Sequence, residues 1–252
     1  MSEVLLERDG AAAIVTLNRP SRKNALDGGT KTALRAALES VATDDTVRAV
    51  LLTGAGDAFC VGQDLGEHAT ALQTDAGTAF DTVERDYAPV VKLLAGMNKP
   101  VVAGVNGTCV GAGLALALAC DVRLFAADAT LATAFTGIGL TCDSGLTATL
   151  SQAVGAAKAR ELVLLGTPFT PELLGATTVP REELPAAARA LVATLAQGPT
   201  AAYAATKRLF ATRLDEVLGA EAREQAALGL TTDHQSAVAA FLAKQKPTFS
   251  GS

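Results

Sequence analysis

Apolar and polar residues alternate in blocks along the chain, and the blocks predict strands that alternate with helices. Two β-favourable runs, Val4 to Arg8 and Ala11 to Leu17, flank an Asp-Gly pair, which predicts an N-terminal hairpin. Apolar residues at the spacing i, i+3, i+4 and i+7 then predict an amphipathic helix through Leu34, Ala37, Leu38 and Val41. The run Val47 to Thr53 predicts a buried strand, so the chain continues in strand-helix-strand order.

The central block of the pattern runs from Lys99 to Gly145. Val101 to Val105 predicts a buried strand, and Asn106-Gly107 ends it with a turn that leads into a loop. A glycine-rich turn, Gly111-Ala112-Gly113, precedes Leu114 to Cys120, which is apolar enough to predict a buried helix. The first N–H groups of a helix lack intrahelical partners and carry partial positive charge. We therefore expect this turn to bind an anion or a developing oxyanion.

The segment between the first buried strand and the central block is less regular. Phe59 to Leu65 predicts a turn, and Ala69 to Thr78 has the Ala, Thr, Gln and Asp composition of a surface loop or mobile segment. Helical character returns over Thr78 to Met97, where we expect Pro89 to kink or break the helix.

Strand-helix alternation continues through a predicted strand at Val122 to Phe125 and stops near Pro180. This order predicts an α/β architecture with right-handed crossovers. The rest of the chain predicts helices only, at Glu182 to Ala196, Pro199 to Ala211, Leu214 to Leu228 and Asp233 to Lys244. We therefore predict an α/β core over residues 1–180 and an all-helical C-terminal region over residues 181–252.

Composition narrows the class of protein. With 252 residues and 49% hydrophobic content, the chain can bury a large core. A net charge of −5 disfavours general binding to nucleic acid, although Arg22 and Lys23 form a local basic spot. The longest apolar run starts at Cys109, is cut by Asp121 and is too short to span a membrane. The N-terminus has no signal-peptide pattern, so we predict a cytoplasmic protein.

Three carboxylates and four cysteines are the candidates for chemistry in or near the central block. The cysteines have no CxxC pairing and are expected to be small buried hydrophobes in a reducing compartment: Cys60, Cys109, Cys120 and Cys142. The carboxylates of the block are Asp121, Asp128 and Asp143. The first two sit at the end of a helix or strand, which is typical of capping and turn residues.

Asp143 differs from the other two because it directly follows the apolar stretch Phe135 to Leu140. Partial burial there would raise the pKa of its carboxyl group and suit it to proton transfer. The alternative is that Asp143 caps a helix that starts near Leu146. The sequence leaves both interpretations open.

Other catalytic patterns are weak. The two histidines, His68 and His234, lie far apart in the sequence without an HExxH pattern, so we expect no zinc site and interpret His68 as a solvated loop residue. No G-x-S-x-G elbow occurs, and Leu116 occupies the place of the third glycine of a dinucleotide-binding turn. An oxyanion site with one nearby carboxylate remains.

Several segments resemble the crotonase superfamily, also called the enoyl-CoA hydratase/isomerase family: Asn18 to Leu26, Ala58 to Leu65, Lys99 to Asp121 and Ile138 to Gly145. The resemblance covers nearly the whole chain, including Phe241 to Pro247. It implies a spiral of ββα turns with a helical C-terminal trimerisation region. It also implies a homotrimer, or a hexamer of two trimers, that acts on acyl-CoA thioesters.

The resemblance also implies where the substrate binds. The two oxyanion-hole amides of the family match the backbone N–H groups of Gln63 and Ala112. Residues that match the CoA-binding positions are Arg22, Lys23, Val61, Gln63, Asp64, Leu65 and Gly111. Coenzyme A enters as part of the substrate, so we expect no separate cofactor and no metal.

Departures from the family pattern bear on the reaction. Hydratases of the family use two glutamates to activate water, and the matching positions here are Ala115 and Phe135. The run around Asp143 is similar instead to the branch that contains the ring-epoxide phenylacetyl-CoA isomerase and the Δ3,Δ2-enoyl-CoA isomerases, in which an acid at this position is the base. Cys142 stands where that branch usually has proline.

The sequence thus predicts an acyl-CoA isomerase in which Asp143 moves a proton and the Gln63 and Ala112 amides stabilise the thioester enolate. The alternatives are a weak hydratase, another acyl-CoA reaction that uses Asp143 alone, and a catalytically silent acyl-CoA-binding protein.

Overall fold

The structure of the chain is a computed structural model that describes residues 2–75, 77–210 and 214–247. The strands of these residues, in chain order, are β1 (Val4–Asp9), β2 (Ala12–Leu17), β3 (Ala49–Gly54), β4 (Ala58–Cys60), β5 (Val101–Val105), β6 (Thr108–Val110), β7 (Val122–Ala126), β8 (Leu131–Ala132) and β9 (Thr177–Val179). The α-helices are α1 (Gly28–Thr43), α2 (Leu65–Asp75), α3 (Ala88–Gly96), α4 (Ala112–Ala119), α5 (Leu146–Val154), α6 (Ala156–Leu165), α7 (Leu184–Gln197), α8 (Thr200–Phe210), α9 (Leu214–Leu228) and α10 (Thr232–Leu242).

The strands form a large and a small sheet. The large sheet has the order β1-β2-β3-β5-β7-β9, and the small sheet has the order β4-β6-β8. Strands β1 and β2 pair antiparallel, with Val4 opposite Leu17, which confirms the predicted hairpin. The other pairings within both sheets are parallel. The predicted α/β class is therefore correct.

The chain winds through a repeated ββα unit. Strand β3 of the large sheet is followed by β4 of the small sheet and then by α2. The same order recurs as β5, β6 and α4, and again as β7, β8 and α5. The loop predicted after Asn106-Gly107 is thus partly wrong, because it contains β6. Likewise, the turn predicted at Phe59 to Leu65 begins inside β4.

Two apolar cores lie on opposite faces of the large sheet. The main core contains side chains of the sheet, the small sheet and helices α1, α3, α4 and α5. The second core packs α7 against the other face, with Val192 buried beside Leu51 and Val102. The division at residue 180 falls between β9 and α7, so the first helix of the predicted C-terminal region covers a face of the core sheet.

The surface loop predicted at Ala69 to Thr78 is wrong over most of its length. Helix α2 runs through Asp75, and Ala76 lies outside the described residues. The Asp64 carboxylate accepts hydrogen bonds from the N–H groups of Gly66, at 3.1 Å, and of Glu67, at 3.3 Å. This N-terminal cap and the burial of one face of the helix explain why an Ala- and Thr-rich segment folds as a helix.

The predicted break at Pro89 is present and has a specific form. A π-helical turn over Val83–Tyr87 precedes α3, and the Ala88 N–H donates to the Val83 carbonyl. Proline lacks an N–H group and clashes with the carbonyl four residues earlier, so the wider turn accommodates Pro89 in the first turn of α3.

The C-terminal helices largely match their predicted spans, although α10 ends at Leu242 and Ala211 lies outside the described residues. In the described part of the chain, no helix is long and apolar enough to cross a membrane.

Candidate active site

The ends of two neighbouring strands create the turn geometry of the site. Strands β4 and β6 pair in parallel, with Cys60 opposite Cys109, so the residues that follow them lie side by side. Gly62 and Gly111 both adopt positive φ, at 82° and 58°. A Cβ atom on Gly62 would lie 3.2 Å from the backbone nitrogen of Ala112. These two glycine-dependent turns therefore bring residues 62–63 against the start of α4.

The backbone N–H groups of Gln63 and Ala112 remain available at this junction. A parallel bridge joins Leu26 to Gln63 through bonds from Leu26 N to Gly62 O and from Asp64 N to Leu26 O, which leaves the Gln63 N–H unused. Ala112 is the first residue of α4, where no intrahelical acceptor exists. Within the described residues neither N–H has a hydrogen-bond partner. Two such donors at neighbouring positions can stabilise an oxyanion.

Asp143 is a buried carboxylate with an intact hydrogen-bond shell. Only 7% of the surface of Asp143 is exposed to solvent. Oδ1 accepts a bond from Ser144 Oγ at 2.7 Å, and Oδ2 accepts one from Gln225 Nε2 at 2.8 Å. Burial raises the pKa of the Asp143 carboxyl, while the Ser144 and Gln225 bonds and the charge of Lys31 oppose that rise. A carboxylate in this state can accept a proton and later return it.

The capping alternative for Asp143 is wrong for its side chain. Helix α5 begins at Leu146, as expected, but the carboxylate at its N-terminus belongs to Glu221. Glu221 accepts bonds from Gly145 N at 2.6 Å and Thr147 N at 2.9 Å, and also from Thr147 Oγ1. Burial raises the pKa of the Glu221 carboxyl, and Asp143 adds to that rise. The side chain of Asp143 is therefore not committed to the helix.

Glu221 and Gln225 lie one helical turn apart on α9, and sequence reasoning missed both. Their i, i+4 spacing places two polar side chains on one face, which could have drawn attention to them. Nothing local indicates that this face packs on residues 143–147, because the contacts join positions 74 to 82 residues apart.

A second polar group surrounds the side chain of Gln63. Gln63 Oε1 accepts bonds from Tyr87 Oη at 2.6 Å and from Lys31 Nζ at 3.2 Å. Burial raises the pKa of Tyr87, with the charge of Asp143 as the next cause. Burial lowers the pKa of Lys31, although Glu67 and Asp86 favour its charged form. Sequence reasoning missed Lys31 and Tyr87 as site residues, because neither belongs to a recognisable motif.

A cavity of about 400 Å³ opens beside this group. Lys31, Gln63 and His68 line it, together with residues of α2 and the segment from Thr78 to Asp86. A larger cavity of about 870 Å³ lies elsewhere, between the C-terminal end of α4 and helices α5, α8 and α9. Of Gln63, Ala112 and Asp143, only Gln63 lines the smaller cavity and none lines the larger one, so size alone does not mark the site.

The predicted CoA-binding residues divide into two groups. Arg22 and Lys23 are exposed at the surface, whereas Val61 and Gly111 belong to the turns around Gln63 and Ala112 and Leu65 begins α2. Asp64 differs, because its carboxylate caps α2 and pairs with Arg19 at 3.2 Å. Its side chain therefore has a structural partner, and its backbone N–H donates to Leu26 O.

The interpretation of His68 as a solvated loop residue is wrong. His68 is buried in α2, and its Nε2 lies 3.0 Å from Nε2 of His234, which is buried in α10. Nδ1 of His234 donates to the Ile138 carbonyl at 2.6 Å, so its Nε2 accepts from His68. Phe80 packs edge-on against both rings. The described residues contain no group of three or more potential metal ligands.

The residues at the two hydratase-glutamate positions are apolar and buried. Ala115 is completely buried within α4, and Phe135 is 7% exposed. Cys142 is also buried, and burial raises the pKa of its thiol, so the thiol stays protonated at neutral pH. Of these three side chains, none can exchange a proton with a substrate near neutral pH.

Comparisons with known proteins give one consistent family. The sequence profile described as Enoyl-CoA hydratase/isomerase matches residues 7–252. A Rhodobacter capsulatus protein named "Probable enoyl-CoA hydratase" is 40% identical, over 95% of this chain and 94% of its own length. The Escherichia coli 1,2-epoxyphenylacetyl-CoA isomerase is 36% identical, over 100% of this chain and 99% of its own length. An enoyl-CoA hydratase structure from Mycobacterium avium subsp. paratuberculosis is 30% identical, covers 98% of both chains and superimposes with a TM-score of 0.87.

Proposed function

The chain belongs to the enoyl-CoA hydratase/isomerase family, and from that premise we propose that it is an acyl-CoA isomerase with Asp143 as its acid and base. Asp143 removes a proton from an acidic carbon of the acyl group, and the electron pair of that C–H bond moves into the thioester as an enolate. The N–H groups of Gln63 and Ala112 stabilise the enolate oxygen. The protonated Asp143 then returns the proton to another carbon, so the double bond moves without net redox change.

The observation that carries this proposal is the state of Asp143. It is a buried carboxyl whose pKa is raised by burial, and Glu221 rather than Asp143 caps the adjacent helix. A base with a raised pKa gains driving force for proton abstraction near neutral pH. Preorganised oxyanion donors add about 2.7–4 kcal/mol each in comparable sites.

A second candidate is a hydratase, which the name of the Rhodobacter capsulatus relative favours. Hydration needs groups that position water and move its proton. The side chains of Ala115 and Phe135 cannot do either, and both are buried among apolar residues. Their chemistry supports the isomerase over the hydratase.

We propose that the reacting end of the acyl group lies between Asp143 and the Gln63 and Ala112 amides, that the rest of it extends toward the 400 Å³ cavity that Gln63 lines, and that the CoA part runs over the surface turns. The cavity volume falls in the range of small-ligand sites. Arg22 and Lys23 are exposed and positively charged, which suits them to the CoA phosphates. The name of the Escherichia coli relative makes an arylacetyl group one acyl moiety to test.

Assembly as a homotrimer, or as a hexamer of two trimers, is also part of the proposal. Leu209 and Phe210 are 79% and 80% exposed at the end of α8 and suit a subunit interface. Leu191, Val192 and Leu195 of α7 do not supply such a surface, because they pack in the second core.

A panel of CoA esters tests the function. We expect the protein to convert a 3-enoyl-CoA, or the ring epoxide of an arylacetyl-CoA, to its isomer, as followed by chromatography and mass spectrometry. Hydration of a 2-enoyl-CoA, seen as a gain of one water mass, should be slower by orders of magnitude. Hydration as the dominant reaction would refute the isomerase proposal and favour the second candidate.

A further inference from the structure

Helix α9 holds both ends of the segment that carries Asp143. Gln225 donates to the Asp143 carboxylate, and Glu221, one turn earlier, accepts from the N–H groups of Gly145 and Thr147. Both side chains are buried, with 1% of Gln225 and 5% of Glu221 exposed. A helix distant in sequence therefore fixes the position of the segment from Asp143 to Thr147.

The two contacts differ in what they satisfy. Both carboxylate oxygens of Glu221 have partners at the start of α5, so Glu221 completes a helix cap. In Gln225, only one of the two polar atoms of the side-chain amide has a hydrogen-bond partner. Its Nε2 is bonded to Asp143, whereas its buried Oε1 has no hydrogen-bond partner among the described residues.

A buried amide with an unpaired oxygen is unfavourable for stability. An apolar side chain of similar length would remove the unpaired Oε1, but it would also remove the donor to the buried Asp143 Oδ2. Among the described residues, the bond to Asp143 is the one hydrogen bond of this amide, so no other contact of the amide explains glutamine at position 225. The hydrogen bond to Asp143 does, because it stabilises the charged carboxylate and fixes which way Oδ2 faces.

We propose that Gln225 is a positioning residue for Asp143, holding its carboxylate charged and oriented between turnovers at some cost in stability. This inference rests on the proposed function, because it assigns Gln225 a part in the same proton transfer. Gln225 acts through Asp143 and moves no proton itself.

The test compares Gln225→Met with the wild type by two readouts. One is the pKa of Asp143 without substrate, from ¹³C NMR of labelled aspartate carboxyl carbons, with the signal assigned by Asp143→Asn. The other is the acidic limb of the pH profile of kcat/KM. Loss of the Nε2 donor should raise the pKa of Asp143 and move the limb to higher pH, each by about one pH unit. The melting temperature at neutral pH should change little, because loss of the bond to the charged carboxylate and removal of the unpaired Oε1 act in opposite directions.

Two variants make the comparison specific. Glu224→Met changes an exposed neighbour on the same helix and should alter neither readout. Ser144→Ala removes the donor to Oδ1 and should shift the pKa of Asp143 in the same direction, which shows that the assay responds to a lost donor. If Gln225→Met does not fold, Gln225→Asn is the substitute, because its shorter side chain cannot keep the 2.8 Å contact.

The outcomes separate the inference from the function. A lower melting temperature with no change in the pKa of Asp143 or in the pH profile would make Gln225 a purely structural residue and overturn the inference. An Asp143 pKa that shifts as expected, in a protein that isomerises no CoA ester, would refute the proposed function while leaving the Gln225–Asp143 coupling in place.

Discussion

Acidification should destabilise the protein through the buried pair of His68 and His234. The neutral pair shares one hydrogen bond, with His68 Nε2 as donor and His234 Nε2 as acceptor. A further proton on the pair would set two N–H groups against each other in a buried site. The contact joins α2 to α10, so its loss would loosen the packing of the last described helix on the core.

The magnitude follows from the pKa of His68. Burial, and secondarily the charges of His234 and Lys31, lower that pKa from its ordinary value of 6.5 to about 4. The unfolded chain therefore binds a proton that the folded chain does not bind between these pH values, so stability falls as pH falls. The loss is about 2 kcal/mol between pH 7 and pH 5 and approaches about 3 kcal/mol near pH 4. Burial also lowers the pKa of His234, which acts in the same direction.

Urea unfolding at pH 7, 6 and 5 measures this loss, with His68→Gln as the reference. Glutamine can still donate to His234 Nε2 but does not titrate in this range. The raised pKa values of the Asp143 and Glu221 carboxyls make both proteins more stable on acidification. This contribution is the same in the two proteins, so it cancels when their losses are compared. We expect the wild type to lose about 2 kcal/mol more than the variant. Equal losses in the two proteins would refute the reasoning.

Three further expectations test other parts of the account. Gly62→Ala should lower kcat at least tenfold at similar CoA-ester affinity, because its positive φ and its 3.2 Å approach to Ala112 N fix the oxyanion donors. Gly10→Ala, also at positive φ but with open space around it, should lower only stability. Calorimetry should show CoA thioesters binding far more tightly than free acids, and Arg22→Ala with Lys23→Ala should reduce that difference. Equal affinity for the free acid and its CoA thioester would contradict the proposal that the protein binds the CoA moiety. Light scattering should show at least a trimer, and Phe210→Glu should weaken that assembly. A monomer at micromolar protein concentration would contradict the assembly proposal.

Local patterns in the sequence were sufficient where a single segment determines its own structure. The Asp-Gly pair predicts the hairpin that β1 and β2 form. The apolar runs around Val101 to Val105 and Leu114 to Cys120 predict β5 and α4, because both elements are buried on all sides. The glycine-rich turn between them predicts the free N–H of Ala112.

Contacts between distant segments were not predictable in this way. Helix α2 resembles a loop in composition. One of the residues that pack against it is His234, which is 166 residues away from His68 in the sequence. Gln225 and Glu221 resemble surface residues of an amphipathic helix until α9 is seen against residues 143–147. The apolar face of α7, the first helix after residue 180, covers the chain's own sheet, which the sequence pattern alone does not reveal. Periodicity shows that a face is apolar, but it does not show what covers that face.

The central claim is that Asp143 moves the proton, and hydrogen exchange at the acyl group tests it most directly. The wild type and Asp143→Asn are incubated with a CoA ester in D₂O, and deuterium uptake into the acyl carbons is followed by mass spectrometry. Affinity for the ester and the melting temperature are measured in parallel. We expect exchange to fall by about 10²–10⁴-fold in the variant. Affinity should be retained, and stability should change little because Glu221 caps α5. Exchange that continues undiminished in Asp143→Asn would contradict the account.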